Sequence, residues 1–253
     1  MEHYMITKEP QSKTILVTGA SGGIGLAVVK HLIKNSNYQI YFLVNKDKEI
    51  LQNHLQNLDY NYNSKIFSAD LTSEQEVDNI RDQIESQSGA LWGLINLAGV
   101  SSNAMSWKIP TEEFKRVLET NVLSTFLTYK AFVPSMRKKD EGRIINISSV
   151  VAMKGAIGAA HYAASKAAII GFTKSISLEL AEKNITANVI APGYMDAGLI
   201  KAIPEEALGL IKQQIPMNRL GDSAEIGNAI SFLLDTKSSY MTGQVMNING
   251  GLY

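Results

Sequence analysis

Short apolar runs rich in β-branched residues alternate along the chain with longer amphipathic stretches, and this alternation restricts the fold more than any other feature. It is typical of repeated strand–helix–strand units, which build a parallel sheet with helices on both faces. The predicted strands cover residues 14–18, 39–44, 65–68, 91–96, 143–148, 186–191 and 245–248. The predicted helices cover residues 23–35, 48–58, 73–87, 111–137, 159–183 and 223–234. The sequence therefore predicts an α/β protein with a doubly wound, seven-stranded parallel sheet.

The 253 residues contain no linker rich in proline, glycine or serine and no repeat of fixed period, so nothing marks a second domain. We expect one domain over residues 13–253, since α/β proteins of about 250 residues commonly fold as a single domain. Residues 1–12 are expected to form a flexible extension. Residues 193–218 match no strand or long helix and are predicted to form a lid over a substrate.

The balance of 24 basic and 24 acidic residues gives no net charge. A global attraction to nucleic acid or to an anionic membrane is therefore missing, and we expect neither as a partner. The absence of cysteine excludes disulfides, thiolate metal sites and a cysteine nucleophile. The four histidines are too far apart in the sequence for a local metal motif, so no metal is predicted.

The beginning of the chain carries charged residues and lacks the apolar core of a secretory signal. No apolar run approaches the roughly 18 residues that a membrane span requires. On these grounds we expect a cytoplasmic protein.

The clearest binding motif is TGASGGIG at residues 18–25, between the first predicted strand and the first predicted helix. Glycines allow a tight turn close to a pyrophosphate, and the helix N-terminus attracts its negative charge. A glycine-rich turn without a ligand is the alternative, but the strand before it and the helix after it favour a dinucleotide. The predicted cofactor-binding residues in this loop are Gly19, Ser21, Gly22, Gly23, Ile24 and Gly25.

Further motifs follow: NLAG at 96–99, YAASK at 162–166, PG at 192–193, TGQ at 242–244 and NGG at 249–251. With the spacing TGxxxGxG in the first loop, these make the chain resemble the short-chain dehydrogenase/reductase family, especially bacterial 3-oxoacyl-acyl-carrier-protein reductases. The resemblance covers almost the whole chain and implies a Rossmann fold, a nicotinamide cofactor and a homotetramer. It also implies a catalytic tetrad of Asn121, Ser149, Tyr162 and Lys166.

Tyr162 and Lys166 are four residues apart on a predicted helix, so they share one face. An exposed pair at this spacing is common, and only the other motifs argue for a site. Lowering a tyrosine pKa from about 10 to about 7 takes roughly 4 kcal/mol of preferential phenolate stabilisation. We expect Lys166 and an oxidised nicotinamide ring to supply it, so that Tyr162 gives a proton to a substrate carbonyl.

Ser149 follows a predicted strand, at the edge where ligands bind in open α/β sheets. Its hydroxyl is expected to hold the substrate carbonyl. Ser148 is the competing candidate and is interpreted as strand-end packing. Asn121 falls inside a predicted helix although asparagine is a poor helix former, so we expect it to hold a water beside Lys166.

The resemblance also assigns cofactor contacts to residues beyond the glycine loop. Asp70 matches the family's adenine-contacting aspartate, although a capping role before the next helix is the alternative. The other residues implied to contact the cofactor are Leu71, Asn96, Ala98, Gly99, Tyr162, Lys166, Pro192, Gly193 and Met195.

The coenzyme preference is predicted from the end of the second strand. NAD-preferring relatives carry an acidic residue near position 44, where this chain has valine. Asn45 and Lys46 suit a 2′-phosphate instead. Gly22 argues the other way, because many NADP-dependent reductases have a basic residue there. NADP(H) is favoured and NAD(H) is the alternative.

Two departures from the resemblance concern the substrate side. Ala197 stands where the family commonly has a threonine that contacts the nicotinamide carboxamide. The basic residues before the fifth strand are followed by Asp140 and Glu141, so docking of an acidic carrier protein is one of two readings and a solvated face is the other. The residues of this candidate patch are Arg137, Lys138, Lys139, Lys174 and Lys183.

The leading hypothesis is an NADPH-dependent reductase of a 3-oxoacyl thioester bound to acyl carrier protein. A dehydrogenase of a small secondary alcohol or polyol is the alternative within the enzymes. A nucleotide-binding subunit without catalysis is the third possibility, and the complete tetrad argues against it.

Overall fold

The computed structural model of the chain describes residues 13–58, 60–61, 65–198, 200 and 205–253. The predicted extension at residues 1–12 lies outside the described residues, as do positions 199 and 201–204 of the predicted lid. Of the described helices, none has both the length and the apolar content needed to cross a membrane.

The described strands form one sheet of seven parallel strands in the order β3-β2-β1-β4-β5-β6-β7. The strands are β1 (Thr14–Thr18), β2 (Gln39–Val44), β3 (Ile66–Ser68), β4 (Gly93–Asn96), β5 (Gly142–Ile147), β6 (Ile185–Pro192) and β7 (Val245–Ile248). This confirms the predicted α/β doubly wound fold. The predicted strand boundaries are right within two residues. The largest difference is at β4, which was predicted to start at residue 91 and starts at Gly93.

The α-helices are α1 (Gly23–Asn35), α2 (Lys48–Gln56), α3 (Glu74–Ser88), α4 (Thr111–Leu118), α5 (Ser124–Lys139), α6 (Val151–Lys154), α7 (Ala160–Leu180), α8 (Glu205–Gln214) and α9 (Ser223–Leu234). Short 3₁₀ turns lie at Ser106–Lys108, Ala181–Lys183 and Thr236–Ser238. The single helix predicted over 111–137 is wrong in one respect, because a π-helical turn at Glu119–Leu123 separates α4 from α5. Such wide turns inside helices often occur at functional sites.

The two faces of the sheet bury separate apolar layers because side chains alternate along each strand. Ile15 and Val17 of β1 pack with α1, α2 and α9, whereas Leu16 packs with α3, α5 and α7. Each face of the sheet is therefore covered by helices, as a parallel sheet requires.

The chain reverses its direction of winding between β1 and β4, which are neighbours in the sheet. The strands from β1 to β3 run towards one edge, and those from β4 to β7 run towards the other. Ligands bind at the carboxyl ends of the strands beside such a switch point. The fold therefore brings the loops after β1, β4, β5 and β6 together at one place.

Candidate active site

The glycine loop after β1 is built for close backbone contacts. Gly19 has a φ of +65°, and a methyl group on it would lie 2.6 Å from the Ala98 nitrogen. A methyl group on Gly25 would lie 2.2 Å from the Gly19 carbonyl oxygen. Larger residues cannot replace either glycine without moving the backbone.

The first turn of α1 carries no side-chain cap that would compete with a ligand for its amides. Its N-cap, Gly22, supplies no side-chain cap, and there is no acidic residue in the first turn. Unpaired amides and the helix dipole at such an end favour an anion. The predicted residues of this loop therefore lie in a cradle that fits a dinucleotide pyrophosphate.

The loop after β4 lies beside the glycine loop. The Ala98 amide donates to the Thr18 hydroxyl at 3.3 Å, which ties the ends of β1 and β4 together. Asn96 is only 4% exposed, and its side chain joins a buried network with Asn146 at 2.9 Å and Thr128 at 2.9 Å. Asn96 thus shapes the cofactor cleft from inside the protein.

Tyr162 lies in the first turn of α7, where its phenol is near the Ser149 hydroxyl. Burial raises the pKa of the phenol above its usual range, and the nearby Ser149 hydroxyl acts in the opposite direction. The expected lowering of the Tyr162 pKa is therefore not produced by the protein's own groups. In this environment the phenol keeps its proton, as a proton donor must.

Lys166 lies one turn after Tyr162, with its Nζ 5.8 Å from the centre of the tyrosine ring. The residue is 4% exposed, and the ammonium donates to the Ile147 carbonyl oxygen at 2.9 Å. Burial lowers the pKa of Lys166 to about 8. The predicted pair therefore does share one helix face, at a buried site.

Asn121 lies in the π-helical turn between α4 and α5 and is fully buried. Its Oδ1 accepts from the Val100 amide at 2.7 Å, and its Nδ2 donates to the Val100 carbonyl oxygen and the Ser165 hydroxyl, both at 2.9 Å. The side chain thus fixes the loop after β4 to α7. The predicted water beside Lys166 stays a prediction.

Gly99 leaves the space between the catalytic candidates. A methyl group there would lie 3.1 Å from Lys166 Nζ and 3.2 Å from Asn121 Oδ1. The two polar atoms therefore face the same small region, which any larger residue at position 99 would fill.

The two serines after β5 have different roles. Ser148 is 2% exposed, and its hydroxyl donates to the Lys166 carbonyl oxygen at 2.7 Å. This matches its interpretation as a packing residue. The Ser149 hydroxyl accepts from the Val151 amide at 3.3 Å and also reaches Tyr162. Ser149 is thus the serine that belongs to the site.

The predicted adenine end of the cleft lies at the ends of β2 and β3. The Asp70 carboxylate accepts from the Thr72 amide at 2.9 Å and from the Thr72 hydroxyl at 2.7 Å, and these bonds lower its pKa. Leu71 is buried in the apolar layer of α3. Ser73 is the N-cap of α3, so Asp70 is not the cap residue. The Asp70 side chain instead stabilises the turn just before the helix. Its local role is therefore evident, and its contact with adenine stays a prediction.

The predicted coenzyme-specificity residues are both exposed beside this end. Asn45 and Lys46 follow β2, and the Asn45 carbonyl oxygen accepts a hydrogen bond from the Ser68 hydroxyl. The Lys46 charge contributes to the low pKa of Asp70. The Lys46 ammonium is therefore near the cleft and open to a ligand.

The base of the predicted lid is fixed, although parts of the lid lie outside the described residues. The Pro192 carbonyl oxygen accepts from the Val150 amide at 2.8 Å, and Gly193 donates to the Ile248 carbonyl oxygen at 2.8 Å. Met195 is 3% exposed and packs against Gly221, so its side chain belongs to the core. A cofactor contact of Met195 could therefore come only from its backbone.

The lid also contacts the start of α1. A methyl group on Gly23 would lie 2.3 Å from the Gly198 nitrogen. Asp196 accepts from the amide and hydroxyl of Ser223, at 3.0 and 2.9 Å, and so holds the lid to the start of α9. Ala197, the departure from the family pattern, lies between these two contacts.

Sequence reasoning missed Ser165 and His161, which flank the predicted Tyr162 and Lys166. The Ser165 hydroxyl donates to the Tyr162 carbonyl oxygen at 2.7 Å, besides accepting from Asn121. No sequence signal could have found them, because only the structure shows that both side chains are buried and therefore need polar partners.

Comparison with known proteins agrees with this geometry. A family model described as enoyl-(acyl carrier protein) reductase matches residues 19–253. The chain belongs to the short-chain dehydrogenase/reductase family. It is therefore an oxidoreductase of a family that binds nicotinamide cofactors.

Several curated relatives have similar length. The chain is 35% identical over 244 residues to 3-oxoacyl-acyl-carrier-protein reductase FabG of Vibrio cholerae, covering 96% of this chain and 98% of that protein. It is 36% identical over 245 residues to the FabG of Salmonella typhimurium, with the same coverage. Acetoacetyl-CoA reductase of Acinetobacter sp. is 35% identical over 244 residues, again with 96% and 98% covered. The family model and the relatives name different reductions, so together they show the family and not the substrate.

Proposed function

We propose that the protein reduces a 3-oxoacyl thioester to the 3-hydroxyacyl thioester with NADPH, and that acyl carrier protein carries the substrate. The grouping of Ser149, Tyr162 and Lys166 at the carboxyl end of β5, with Lys166 Nζ 5.8 Å from the centre of the Tyr162 ring, is the observation that carries this proposal. It places a proton donor and a second hydroxyl at the carboxyl end of β5, where a carbonyl oxygen can lie between them. The names of the relatives in Vibrio, Salmonella and Acinetobacter support a 3-oxoacyl thioester as that carbonyl compound.

In the proposed reaction Ser149 orients the substrate carbonyl oxygen by a hydrogen bond. A reduced nicotinamide coenzyme held by the glycine loop would supply the hydride for the new C–H bond. Tyr162 donates its phenolic proton to the carbonyl oxygen, so that the C=O bond becomes an alcohol. The Lys166 ammonium then stabilises the phenolate, which regains a proton before the next turnover.

The preference for NADPH rests on the charge at the end of β2. Lys46 can pair with a 2′-phosphate, and the exposed Asn45 beside it can donate from its amide. Val44, at the position of the acidic residue of NAD-preferring relatives, is 1% exposed and offers no acceptor for ribose hydroxyls.

Carrier docking is supported by a groove on the outer side of α5. Arg137, Lys138 and Lys183 line this groove of about 490 Å³ together with apolar side chains. The acidic neighbours weaken the patch, since Lys139 pairs with Glu141 at 3.0 Å and Lys183 lies 4.0 Å from Asp140. Of the five basic residues in the predicted patch, three therefore lie in one groove that can face an acidic partner.

A homotetramer is also proposed, on the family resemblance. Phe114 of α4 is 40% exposed and Leu178 of α7 is 81% exposed, so both helices present apolar side chains. Burial of such surfaces between copies is a common reason for assembly. Light scattering at micromolar concentration tests this proposal, and a monomer contradicts it.

The proposed activity is tested by following nicotinamide absorbance with both coenzymes. The substrates are acetoacetyl-CoA, acetoacetyl-acyl carrier protein and, in the oxidising direction, a panel of polyols. The proposal predicts that NADPH and the carrier-bound thioester give the highest kcat/KM. Turnover of polyols with no turnover of either thioester would contradict it.

A further inference from the structure

A buried polar cluster lies beside the catalytic site and has no part in the tetrad. His161, in the first turn of α7, is fully buried. Its Nε2 lies 2.7 Å from the Ser102 hydroxyl, in the loop after β4. Ser102 also contacts Glu113 of α4 at 2.5 Å. We refer to His161, Ser102 and Glu113 as the histidine clamp.

The direction of the hydrogen bonds in the histidine clamp follows from the charge of Glu113. Arg116 holds this carboxylate through two bonds of 2.7 Å and, with Ser102, lowers its pKa to about 2. An ionised carboxylate only accepts, so the single Ser102 proton goes to Glu113. Ser102 can then only accept from His161 Nε2–H. The imidazole is thereby held in one orientation by an anchored acceptor.

The other nitrogen, His161 Nδ1, is buried and has no hydrogen-bond partner among the described residues. An unpaired buried polar atom is costly, and an apolar side chain of similar size would avoid that cost. A histidine that served packing alone would therefore be a poor choice here. The bond from Nε2 to Ser102 is what the imidazole supplies and an apolar residue does not.

The beginning of α7 is not held by a side-chain cap of its own. Its N-cap is Ala159, which has no capping side chain, and the preceding Gly158 has a φ of +79°. The Gly158 carbonyl oxygen accepts from the Ala104 amide at 2.9 Å, in the same loop as Ser102. The loop after β4 thus holds the start of α7 at two points, and Tyr162 is the next residue after His161.

We propose that His161 is a positioning residue for Tyr162, acting through its hydrogen bond to Ser102 and the anchored carboxylate of Glu113. The histidine clamp fixes the first turn of α7 against the loop after β4, and so holds the phenol beside Ser149. This inference rests on the proposed role of Tyr162 as proton donor. It assigns the start of α7 a second support, besides the one that Asn121 and Ser165 provide.

The test compares two replacements of His161. His161→Gln keeps an N–H donor near the position of Nε2, whereas His161→Met fills similar space without a donor. Ser102→Ala removes the acceptor from the partner side, so the test holds even if one His161 variant fails to fold. His31 gives the matched control, because its Nε2 lies 3.1 Å from the Ser231 hydroxyl, between α1 and α9. His31→Gln and His31→Met alter another hydrogen-bonded pair of histidine and serine, at a place away from Tyr162.

The measurements are kcat, KM, the Kd of the coenzyme and the melting temperature of each variant. The proposal predicts that His161→Met and Ser102→Ala lower kcat by about 10-fold to 100-fold, since a displacement of about 1 Å at a reacting group has such an effect. The coenzyme Kd should stay within about twofold, and His161→Gln should recover most of the rate. The double variant of His161→Met and Ser102→Ala should lose no more than either single variant, because both remove one bond.

Equal kcat in wild type, His161→Met and Ser102→Ala would overturn the proposal. So would a loss in His161→Gln as large as in His161→Met, or a similar loss in the His31 variants, since either would indicate general damage. The rates are measured with whichever substrate the wild-type protein converts. A wrong substrate class therefore contradicts the proposed function and leaves this test intact.

Discussion

The Lys166 ammonium donates a hydrogen bond of 2.9 Å to the carbonyl oxygen of Ile147, the last residue of β5. This bond joins the second turn of α7 to the carboxyl end of the sheet. It also removes a charge from water, because Lys166 is 4% exposed. The position that makes the lysine useful beside Tyr162 is thus unfavourable for the stability of the folded state.

The first prediction concerns this cost. Burial lowers the pKa of Lys166 from 10.5 to about 8, so the unfolded chain binds the proton more strongly than the folded one. The penalty is fully present below about pH 8 and falls as the pH rises towards 10.5. At 1.36 kcal/mol per unit it is on the order of 3 kcal/mol at pH 7, and about 2 kcal/mol of it should be gone at pH 9.5.

The measurement is urea unfolding of wild type and Lys166→Met at both pH values. The difference in the free energy of unfolding between Lys166→Met and wild type should shrink as the pH rises. Only the wild type has a buried lysine whose charge is lost at high pH. Lys174→Met is the control, because Lys174 lies on the same helix and is exposed. If this difference in the free energy of unfolding does not change with pH, burial does not lower the pKa of Lys166, and the prediction is wrong.

The second prediction concerns the coenzyme. Lys46→Ala should raise the KM for NADPH by about 10-fold or more and leave the KM for NADH nearly unchanged, because only NADPH carries the 2′-phosphate that the ammonium can pair with. Lys34→Ala is the control for a general effect of lost charge. Lys34 lies in the last turn of α1, at the end of the helix away from the glycine loop. Equal effects of Lys46→Ala on the two coenzymes would remove Lys46 from the phosphate site.

The third prediction compares two helical glycines. Gly25→Ala places a methyl group 2.2 Å from the Gly19 carbonyl oxygen, so the glycine loop has to move. It should weaken coenzyme binding by at least about 10-fold, since the loop approaches the pyrophosphate with its backbone. Gly171→Ala in α7 meets no atom within 4 Å and should stabilise the fold by about 0.5–1 kcal/mol.

Coenzyme binding is measured by fluorescence titration and the free energy of unfolding by urea, for both glycine variants. Gly25→Ala with wild-type affinity would show that the loop tolerates a side chain, and the pyrophosphate cradle would then be wrongly placed.

The fold could be predicted from local patterns because each strand and helix has its own periodicity. The β-branched run before Gly19 and the glycines after it are neighbours in the sequence, and the βαβ unit follows from them. The tetrad was predicted in a similar way, through the spacing of Tyr162 and Lys166 and through the family resemblance, and its catalytic role stays a prediction. The wide turn at Asn121 has no such signal, because the residues around it have ordinary helix propensity.

The supports of the tetrad are contacts between distant segments, and these leave no trace in spacing. Asn121 and Ser165 are 44 residues apart, and Ser102 and His161 are 59 apart. The direction in which the Tyr162 pKa shifts also required the structure, because the effect of burial outweighs that of the nearby Ser149 hydroxyl. Sequence spacing indicates which groups share a helix face, but it does not show how deeply that face is buried.

The account depends most directly on Tyr162 as the proton donor. Tyr162→Phe removes only the hydroxyl, so the variant should bind the coenzyme with nearly wild-type Kd while kcat falls by about 100-fold or more, the usual contribution of a general acid. The decisive measurement is the single-turnover rate of NADPH oxidation by Tyr162→Phe with acetoacetyl thioester, beside coenzyme titration of the same sample. A rate below one-hundredth of wild type with unchanged coenzyme affinity is the predicted result. Retention of more than about a tenth of the wild-type rate, far above what loss of a general acid allows, would contradict the account.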